Sequence, residues 1–327
     1  MTPMPRRCQP EVERENRPML ERISYRGWEN AYRISNGTVE LVVLADVGPR
    51  VISFSFVGGE NVFHEVLEHA GLTGGTDFRL YGGHRLWVWP EVDRTYFPDN
   101  SAVIVFQDNN NKVVRFTAPV ESALPGSNLQ KELEIRMEET GSQVTVSHRI
   151  TNHDGRPTEL APWTPTMMKA GGRAILPLPP RVAMDKDHFQ SVGPLTLWSF
   201  TDFADSRWRL GTEFIQLSQH SKPTGRFPEQ MTGIFNPAGW GAYFVNHLLF
   251  VKRTRVMSGA HYPDFGCNFE IFTNPEFLEL ESLGPKVQLA QGESTVHEEI
   301  WTLFQNVPEG EDELWIRSAV ASLAAHS

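Results

Sequence analysis

The amino-acid sequence predicts an all-β protein, built as one large antiparallel β-sandwich with a short C-terminal helix. Three observations predict this class. Apolar and polar residues alternate with a period of two along most of the chain, turn residues separate these stretches at intervals of roughly 8–12 residues, and helical periodicity is nearly absent before residue 309. Because a sheet of that many strands curls, its concave face is a natural groove for a ligand.

The alternation defines three hairpins in the first half of the chain. The first lies in TVELVVLADVGPRVISFSF and turns at Gly48-Pro49, the second lies in AVIVFQDNNNKVVRF and turns at Asp108–Asn111, and the third lies in KELEIRMEETGSQVTVSHRITN and turns at Thr140–Ser142. The same pattern continues through WGAYFVNHLLFVKRT, CNFEIFT, FLELESLG and STVHEEIWTLF. A single meandering sandwich therefore accounts for the middle of the sequence.

The two ends of the chain differ from this middle. Residues 1–24 are rich in proline and charge, which predicts a flexible leader, and residues 25–306 form the predicted sandwich. Within 307–327, DELWIRSAVASLAAH places an apolar stripe at helical spacing: Trp315, Ile316, Ala319, Val320 and Leu323. We expect this helix to dock on the sandwich or on a second copy of the chain.

Composition excludes several classes of function. The formal charge of −10 over 327 residues disfavours nucleic acid as a partner, and no apolar run is long enough to cross a membrane. The two cysteines, Cys8 and Cys267, match neither a disulfide framework nor a zinc site. With no secretory leader, the sequence predicts a cytoplasmic monomer or homodimer. It also predicts no metal, because no spacing matches a structural zinc site, although a divalent ion held by carboxylates and sugar hydroxyls stays open.

One short segment, LYGGHRLWVWPE at residues 80–91, groups glycines, a histidine and two indoles. It is typical either of a packed corner of a β-sheet or of a sugar site. In a sugar site, tryptophan faces stack on pyranose rings and glycines let a ligand approach the backbone. The family resemblance carried by the chain's other motifs favours the sugar site, with this segment as one wall of a sugar groove.

The order of these motifs resembles the galactose mutarotase-like superfamily, the aldose 1-epimerases and their relatives. The resemblance rests on ISNGTVELVVLADVGPRVISFSF near the start, on a GG..LW motif at 82–87, and on FLELESLGPKVQLAQGESTVHEEIWTLF near the end. It covers roughly residues 25–306 and is closest to the members that carry the GG..LW pattern. It implies a supersandwich fold and a small-molecule carbohydrate as the partner.

Aldose 1-epimerases interconvert sugar anomers without a cofactor, using a Glu that removes the O1 proton and a His that protonates the ring oxygen. The resemblance places Glu281 at the position of the base, in the segment Leu280-Glu281-Ser282. Strand geometry puts Glu279 on the same face, about 7 Å away. The alternative is a solvated strand face that carries Glu276, Glu279 and Glu281.

The family's acid does not align with a histidine. Tyr81 stands where the first histidine of the pattern would be, and Trp163 falls near the ring-protonating histidine, although an indole cannot donate a proton to a ring oxygen at neutral pH. The candidates for the acid are therefore Tyr81, His84 and His261, of which the last lies in the loop SGAHYPDFG.

Further side chains are candidates for substrate binding: Arg50, Trp87, Trp163, Lys252, Asp264 and Glu279. A guanidinium such as Arg50 suits paired hydrogen bonds to hydroxyls, although it would equally pair with Asp46. Trp87 is the candidate for stacking on a sugar.

Three functions remain open on the sequence alone. The first is an aldose 1-epimerase-like isomerase with Glu281 as base. The second is a catalytically silent sugar-binding protein, which the replacement of the usual acid by Trp163 favours. The third is a glycoside-cleaving enzyme that uses Glu279 and Glu281, although such pairs normally flank the bond from different strands.

Overall fold

The computed structural model describes residues 18–108, 113–122 and 128–325. Strands make up nearly all of the regular secondary structure in the described residues, as predicted. In chain order these are β1 (Met19–Tyr25), β2 (Trp28–Ser35), β3 (Val39–Leu44), β4 (Arg50–Phe56), β5 (Trp87–Trp89), β6 (Ile104–Gln107), β7 (Val114–Thr117), β8 (Leu129–Met137), β9 (Gln143–Asn152), β10 (Thr158–Met168), β11 (Arg173–Pro177), β12 (Leu195–Leu197), β13 (Trp208–Leu210), β14 (Phe214–Ser218), β15 (Gln230–Ile234), β16 (Trp240–Val245), β17 (Leu248–Thr254), β18 (Phe269–Thr273), β19 (Leu278–Leu283), β20 (Val287–Leu289) and β21 (Ser294–Phe304). Short 3-10 turns lie at Leu67–His69 and Asp93–Tyr96.

The strands form three antiparallel sheets. One has ten strands in the order β13-β14-β11-β16-β17-β21-β9-β8-β7-β6, one has seven in the order β12-β15-β18-β19-β10-β20 with β5 beside β10, and one has the four strands β1-β2-β3-β4. Single-residue bridges from His84 to Val51 and to Thr166 join the four-stranded sheet to the seven-stranded one. The joined sheet therefore faces the ten-stranded sheet across one large core.

Most of that core is one continuous apolar cluster. It combines residues from both layers, among them Leu41, Val51, Phe54, Leu133, Val146, Phe250, Phe269, Leu278, Leu280 and Trp301. Because successive side chains of a strand point to opposite faces, the same strands leave every second position for the outer surface. The outer face of the seven-stranded sheet carries the site described below.

The predicted hairpins are present. β3 pairs with β4 across the Gly48-Pro49 turn, β6 pairs with β7, and β8 pairs with β9 from Leu129↔Asn152 to Met137↔Val144. Residues 109–112, in the turn between β6 and β7, lie outside the described residues. The first strand begins at Met19, before the expected domain start at 25, because it pairs along most of its length with β2. Residues 1–17 of the expected leader lie outside the described part.

The C-terminal helix consists of Glu313–Trp315, a π-helical stretch Ile316–Ala321, and Ser322–Ala324. Its buried residues are Trp315, Ile316, Val320 and Ala324, and they pack on Trp240, Ala242, Phe244, Leu249 and Val251 of β16 and β17. The helix thus covers the outer face of the ten-stranded sheet of its own chain. No helix within the described residues combines the length and apolar character that a membrane span requires.

The glycines of the 80–91 segment serve backbone packing rather than ligand approach, contrary to the expectation from sequence. A Cβ atom on Gly82 would lie 2.3 Å from the carbonyl oxygen of His64, and one on Gly83 would lie 2.2 Å from that of Val51. Both residues also have positive φ, 104° and 68°. With glycine at both positions, this segment can pack directly against the backbone of His64 and of Val51. That contact fixes the position of the residues that follow.

Replacing Gly83 by Ala is expected to destabilise the fold by more than about 2 kcal/mol, because strain and a backbone clash add together. Gly141→Ala is the matched control, since Gly141 has a similar φ of 79° but no atom near its missing Cβ. Urea unfolding of both variants measures the difference. Equal losses in the two variants would show that the close approach at Gly83 contributes nothing.

Candidate active site

Strand β19 carries two carboxylates on its outer face. Leu278 and Leu280 point into the core, as predicted, and Glu279 and Glu281 alternate with them. Both glutamates are nevertheless buried, with 7% and 1% of their surface exposed. The solvated strand face considered from the sequence therefore does not describe Glu279 and Glu281.

Trp163 and Trp87 lie beside Glu281, as the resemblance implies. Trp163 of β10 pairs with Trp87 of β5 on one side and with Leu283 of β19 on the other. The indole Nε1–H of Trp163 donates a hydrogen bond of 2.5 Å to Glu281 Oε2, and the two indoles meet edge to face at 5.0 Å. Residues from three distant stretches of the chain thus form one aromatic and acidic surface.

A third carboxyl group, Glu270, completes this surface. It lies on β18 directly opposite Glu281, so the Cβ atoms of the pair are about 4.5–5.5 Å apart on the same face. Glu270 is 1% exposed, and its Oε1 has no hydrogen-bond partner among the described residues. The site residues predicted from the sequence do not include Glu270, although a lone carboxylate inside the apolar strand CNFEIFT was a usable signal.

Burial raises the pKa of both carboxyl groups in the Glu270–Glu281 pair. Burial, followed by the charge of Glu279, raises the pKa of Glu281 to about 8, against the opposing effects of the Trp163 hydrogen bond and of Lys252. Burial and the charges of Glu281 and Asp264 raise the pKa of Glu270 well above its usual range. Glu281 therefore ionises around pH 8, beside a neighbouring carboxyl whose raised pKa lets it carry a proton.

Arg85 is a second residue that the sequence analysis did not select. Its guanidinium stacks 3.6 Å above the Trp87 ring and places Nη2 3.3 Å from Glu279 Oε1. Its Nε and Nη1 atoms are buried and have no hydrogen-bond partner within the described part of the chain. Burial lowers the pKa of Arg85 to about 10, so the group stays cationic at neutral pH and can donate to ligand oxygens.

His84 and Lys252, two predicted site residues, lie in the interior on the other side of the seven-stranded sheet. His84 bridges β4 and β10, which turns its ring inward to Thr166 and His148 at 2.8 and 2.6 Å. Lys252 of β17 donates to the carbonyl oxygens of Thr164 and Leu280 and lies 3.0 Å from Glu299. Neither side chain faces the Glu270–Glu281 pair.

This interior cluster is the only group within the described ranges that brings metal-ligating atoms together, since atoms of His84, His148 and Glu299 lie within 4.8 Å of one another. Each of these three side chains already has hydrogen-bond partners within the protein. The carbonyl of His297 accepts from His148 Nδ1, which leaves His148 Nε2 to accept from His84, while Glu299 accepts from Thr164, Ser282, Trp301 and Lys252. Hydrogen bonds and an ion pair within the protein therefore already occupy the potential ligand atoms of this cluster.

Tyr81 and Arg50 are buried side chains held by hydrogen bonds within the protein. Tyr81 is fully buried against Trp28, and its hydroxyl donates to Asn100 Oδ1 at 2.7 Å. Arg50 is also buried and donates to the carbonyl oxygens of Leu80 and Gly82 and to Asp99, so it does not pair with Asp46. The two hold the 80–83 segment in place and lie apart from Glu281.

The remaining candidates, His261 and Asp264, line an open cavity next to this surface. The cavity also contains the Trp89 ring, whose Nε1 donates to Asp264 Oδ1 at 3.2 Å. Asp264 lies close enough to Glu270 to raise its pKa. The structure thus brings together Trp87, Trp163, Glu279 and Glu281 and places Asp264 and His261 beside them. The other four candidates, Tyr81, His84, Arg50 and Lys252, make their hydrogen bonds elsewhere, although the charges of Arg50 and Lys252 reach Glu279.

Comparison with known proteins bears on the fold. No protein-family model matches the sequence, and a search of curated proteins finds no match. Among solved structures, a putative aldose 1-epimerase from Escherichia coli K12 is similar with a TM-score of 0.53 and 14% identity, over 84% of this chain and 99% of that one. A galactose mutarotase-like protein from Lactobacillus casei is similar with a TM-score of 0.52 and 11% identity, over 84% and 100%.

A third similar structure is a TPR-domain containing protein from Parabacteroides distasonis, with a TM-score of 0.56 and 13% identity over 86% of this chain. The match spans 48%, about half, of that longer protein. Identities this low show a shared fold and nothing finer. The chain has the fold of the galactose mutarotase-like proteins, as its sequence motifs predicted.

Proposed function

We propose that this protein interconverts the anomers of a reducing sugar by general acid–base catalysis, with Glu281 as the base and Glu270 as the acid. One observation carries the proposal: two buried carboxyl groups with raised pKa values lie side by side on neighbouring strands. The hydroxyl oxygen O1 and the ring oxygen of a pyranose are bonded to the same carbon. Two adjacent carboxyl groups on one face can therefore serve both oxygens.

The reaction balances with these two groups alone. Ionised Glu281 takes the O1 proton while protonated Glu270 gives its proton to the ring oxygen, the C1–ring oxygen bond breaks, and the open aldehyde forms. Rotation about C1–C2 presents the other face of the aldehyde, and the two proton transfers run in reverse to close the ring. Arg85, with its unpaired donors, and the Trp87 and Trp163 rings hold the sugar in place.

Glu270 also accounts for the missing histidine acid. By the family resemblance, Trp163 falls near the position of that histidine. Its indole donates a hydrogen bond to Glu281, which stabilises the ionised base. The proton donor is then Glu270, on the neighbouring strand β18. A glycoside-cleaving role has less support, because Glu279 and Glu281 lie along one face of one strand and not on opposite sides of a bond.

A catalytically silent sugar-binding protein is the second candidate. A pKa of about 8 for Glu281 favours it, since most of the base is then protonated at neutral pH. The surface of indoles, a guanidinium and carboxyls would still bind a sugar. The two candidates differ in whether bound sugar exchanges anomers faster than free sugar.

The pH dependence of anomer exchange tests the acid–base assignment. Because Glu281 must be ionised, kcat/KM is expected to rise with pH through about 8 and to fall again where Glu270 ionises. Saturation-transfer NMR between the α and β anomers measures the rate, with the spontaneous exchange at each pH subtracted. A rate that falls steadily from about pH 6 to about pH 9 would contradict Glu281 as the base.

A further inference from the structure

The open cavity beside the carboxyl pair has a volume of about 720 Å³. Its walls combine aromatic rings with a few polar side chains: Trp89, Phe235, Tyr262 and Phe265, with His261, Asp264 and Lys286. Lys286 Nζ lies 5.3 Å from the centre of the Trp89 ring. Asp264 connects the cavity to the reaction site, because it accepts from the Trp89 indole and also acts on Glu270.

The rim of the cavity presents an aromatic ring to solvent at a conformational cost. Phe265 is 92% exposed, and both Asp264 and Phe265 have positive φ, 46° and 67°, which only glycine adopts freely. The turn is fixed by hydrogen bonds from the amides of Gly266 and Cys267 to Pro263 and from the Thr196 hydroxyl to Asp264. Strained backbone that is held in this way is typical of binding loops.

We infer that this cavity is a second sugar subsite, which binds the pyranose attached to the reducing unit held at the Glu270–Glu281 pair. The preferred substrate is then a reducing disaccharide or longer oligosaccharide. The exposed Phe265 ring and the half-buried Trp89 and Phe235 rings supply stacking surfaces for pyranose C–H groups. Asp264, His261 and Lys286 supply hydrogen bonds to hydroxyls. This inference rests on the proposed function for the position of the reducing end.

The test compares glucose with three reducing disaccharides of glucose or galactose: cellobiose, maltose and lactose. For each sugar, calorimetric titration gives the affinity and saturation-transfer NMR gives the exchange rate of its reducing-end anomers. We expect one disaccharide to exceed glucose in affinity and in kcat/KM by about tenfold. In Phe265→Ala, the disaccharide-to-glucose ratio of affinity and of kcat/KM is expected to fall towards one. Because the Phe265 ring is exposed, its removal should not disturb folding.

The matched control is Phe106→Ala, which removes another exposed aromatic ring, 54% exposed and on the distant strand β6. Its disaccharide-to-glucose ratio is expected to equal that of the wild type. Equal affinities for glucose and all three disaccharides, or a ratio that Phe265→Ala leaves unchanged, would overturn the subsite. So would a change in oligomeric state of Phe265→Ala without a change in that ratio.

The two proposals fail separately. A disaccharide preference in affinity that depends on Phe265, without any acceleration of anomer exchange, would support the subsite and refute the isomerase. Acceleration of exchange for glucose and disaccharides alike would support the isomerase and refute the subsite.

Discussion

Replacing Glu281 by Gln is expected to lower the rate of anomer exchange by about 10²–10⁴-fold, the loss typical of removing a general base. The amide keeps the shape of the side chain and can still accept the Trp163 hydrogen bond, so sugar affinity should change little. The comparison of kcat/KM with a calorimetric dissociation constant separates the two effects. Glu270→Gln is expected to lower the rate as well, through loss of the acid.

Glu276→Gln is the control for this experiment. Glu276 is an exposed carboxylate close in sequence to β19, so it shares the charge of Glu281 without its surroundings. Its replacement should leave the rate within about twofold of the wild type. A Glu281→Gln variant that retains the wild-type rate would exclude Glu281 as the base, whatever its affinity for sugar.

Replacing Lys252 by Met is expected to destabilise the protein by about 3–5 kcal/mol, because it leaves the charge of Glu299 in the core without its ionic partner. Burial opposes ionisation of Glu299, but Lys252 and the surrounding histidines outweigh it and hold the pKa of Glu299 well below its usual range. Lys252 also donates to the carbonyl oxygens of Thr164 and Leu280, which joins β10 and β19 directly behind the Trp163–Glu281 contact. Urea unfolding at neutral pH measures the loss.

Two further variants serve as comparisons for the stability of Lys252→Met. Lys169→Met removes a partly exposed lysine that lies 2.6 Å from the exposed Glu60, and its cost should stay below about 1 kcal/mol. The double variant Lys252→Met with Glu299→Gln should recover part of the stability, because no unpaired charge then remains in the core. A Lys252→Met variant that is no less stable than Lys169→Met would show that Glu299 does not depend on Lys252.

The sequence was informative about the fold because strand periodicity is a local property. Alternating residues such as Leu278 and Leu280 mark which face of β19 is buried, and this could be read without knowing the neighbouring strands. The same alternation could not show that the opposite face, with Glu279 and Glu281, is buried as well. That depends on β5, β10 and β18, which come from distant parts of the chain.

The dependence on distant strands also explains why some site residues were placed wrongly or missed from the sequence. His84 has the chemistry of an acid, but its backbone bridges two sheets, which turns the ring into the core. Its neighbour Arg85 consequently points to the outer face, stacked on Trp87. Glu270 becomes a candidate acid only through its register opposite Glu281, and strand register between distant segments is not visible in a single sequence.

The exchange rate of a reducing sugar in the presence of wild-type protein tests the central claim most directly. The measurement is saturation transfer between the α and β anomers at about pH 8, where half of Glu281 is ionised, at increasing protein concentration. The acid–base pair predicts a rate that rises in proportion to the wild-type protein and stays at the spontaneous value with Glu281→Gln. Wild-type protein that binds the sugar and leaves its anomers exchanging at the spontaneous rate would contradict the isomerase and leave a sugar-binding protein.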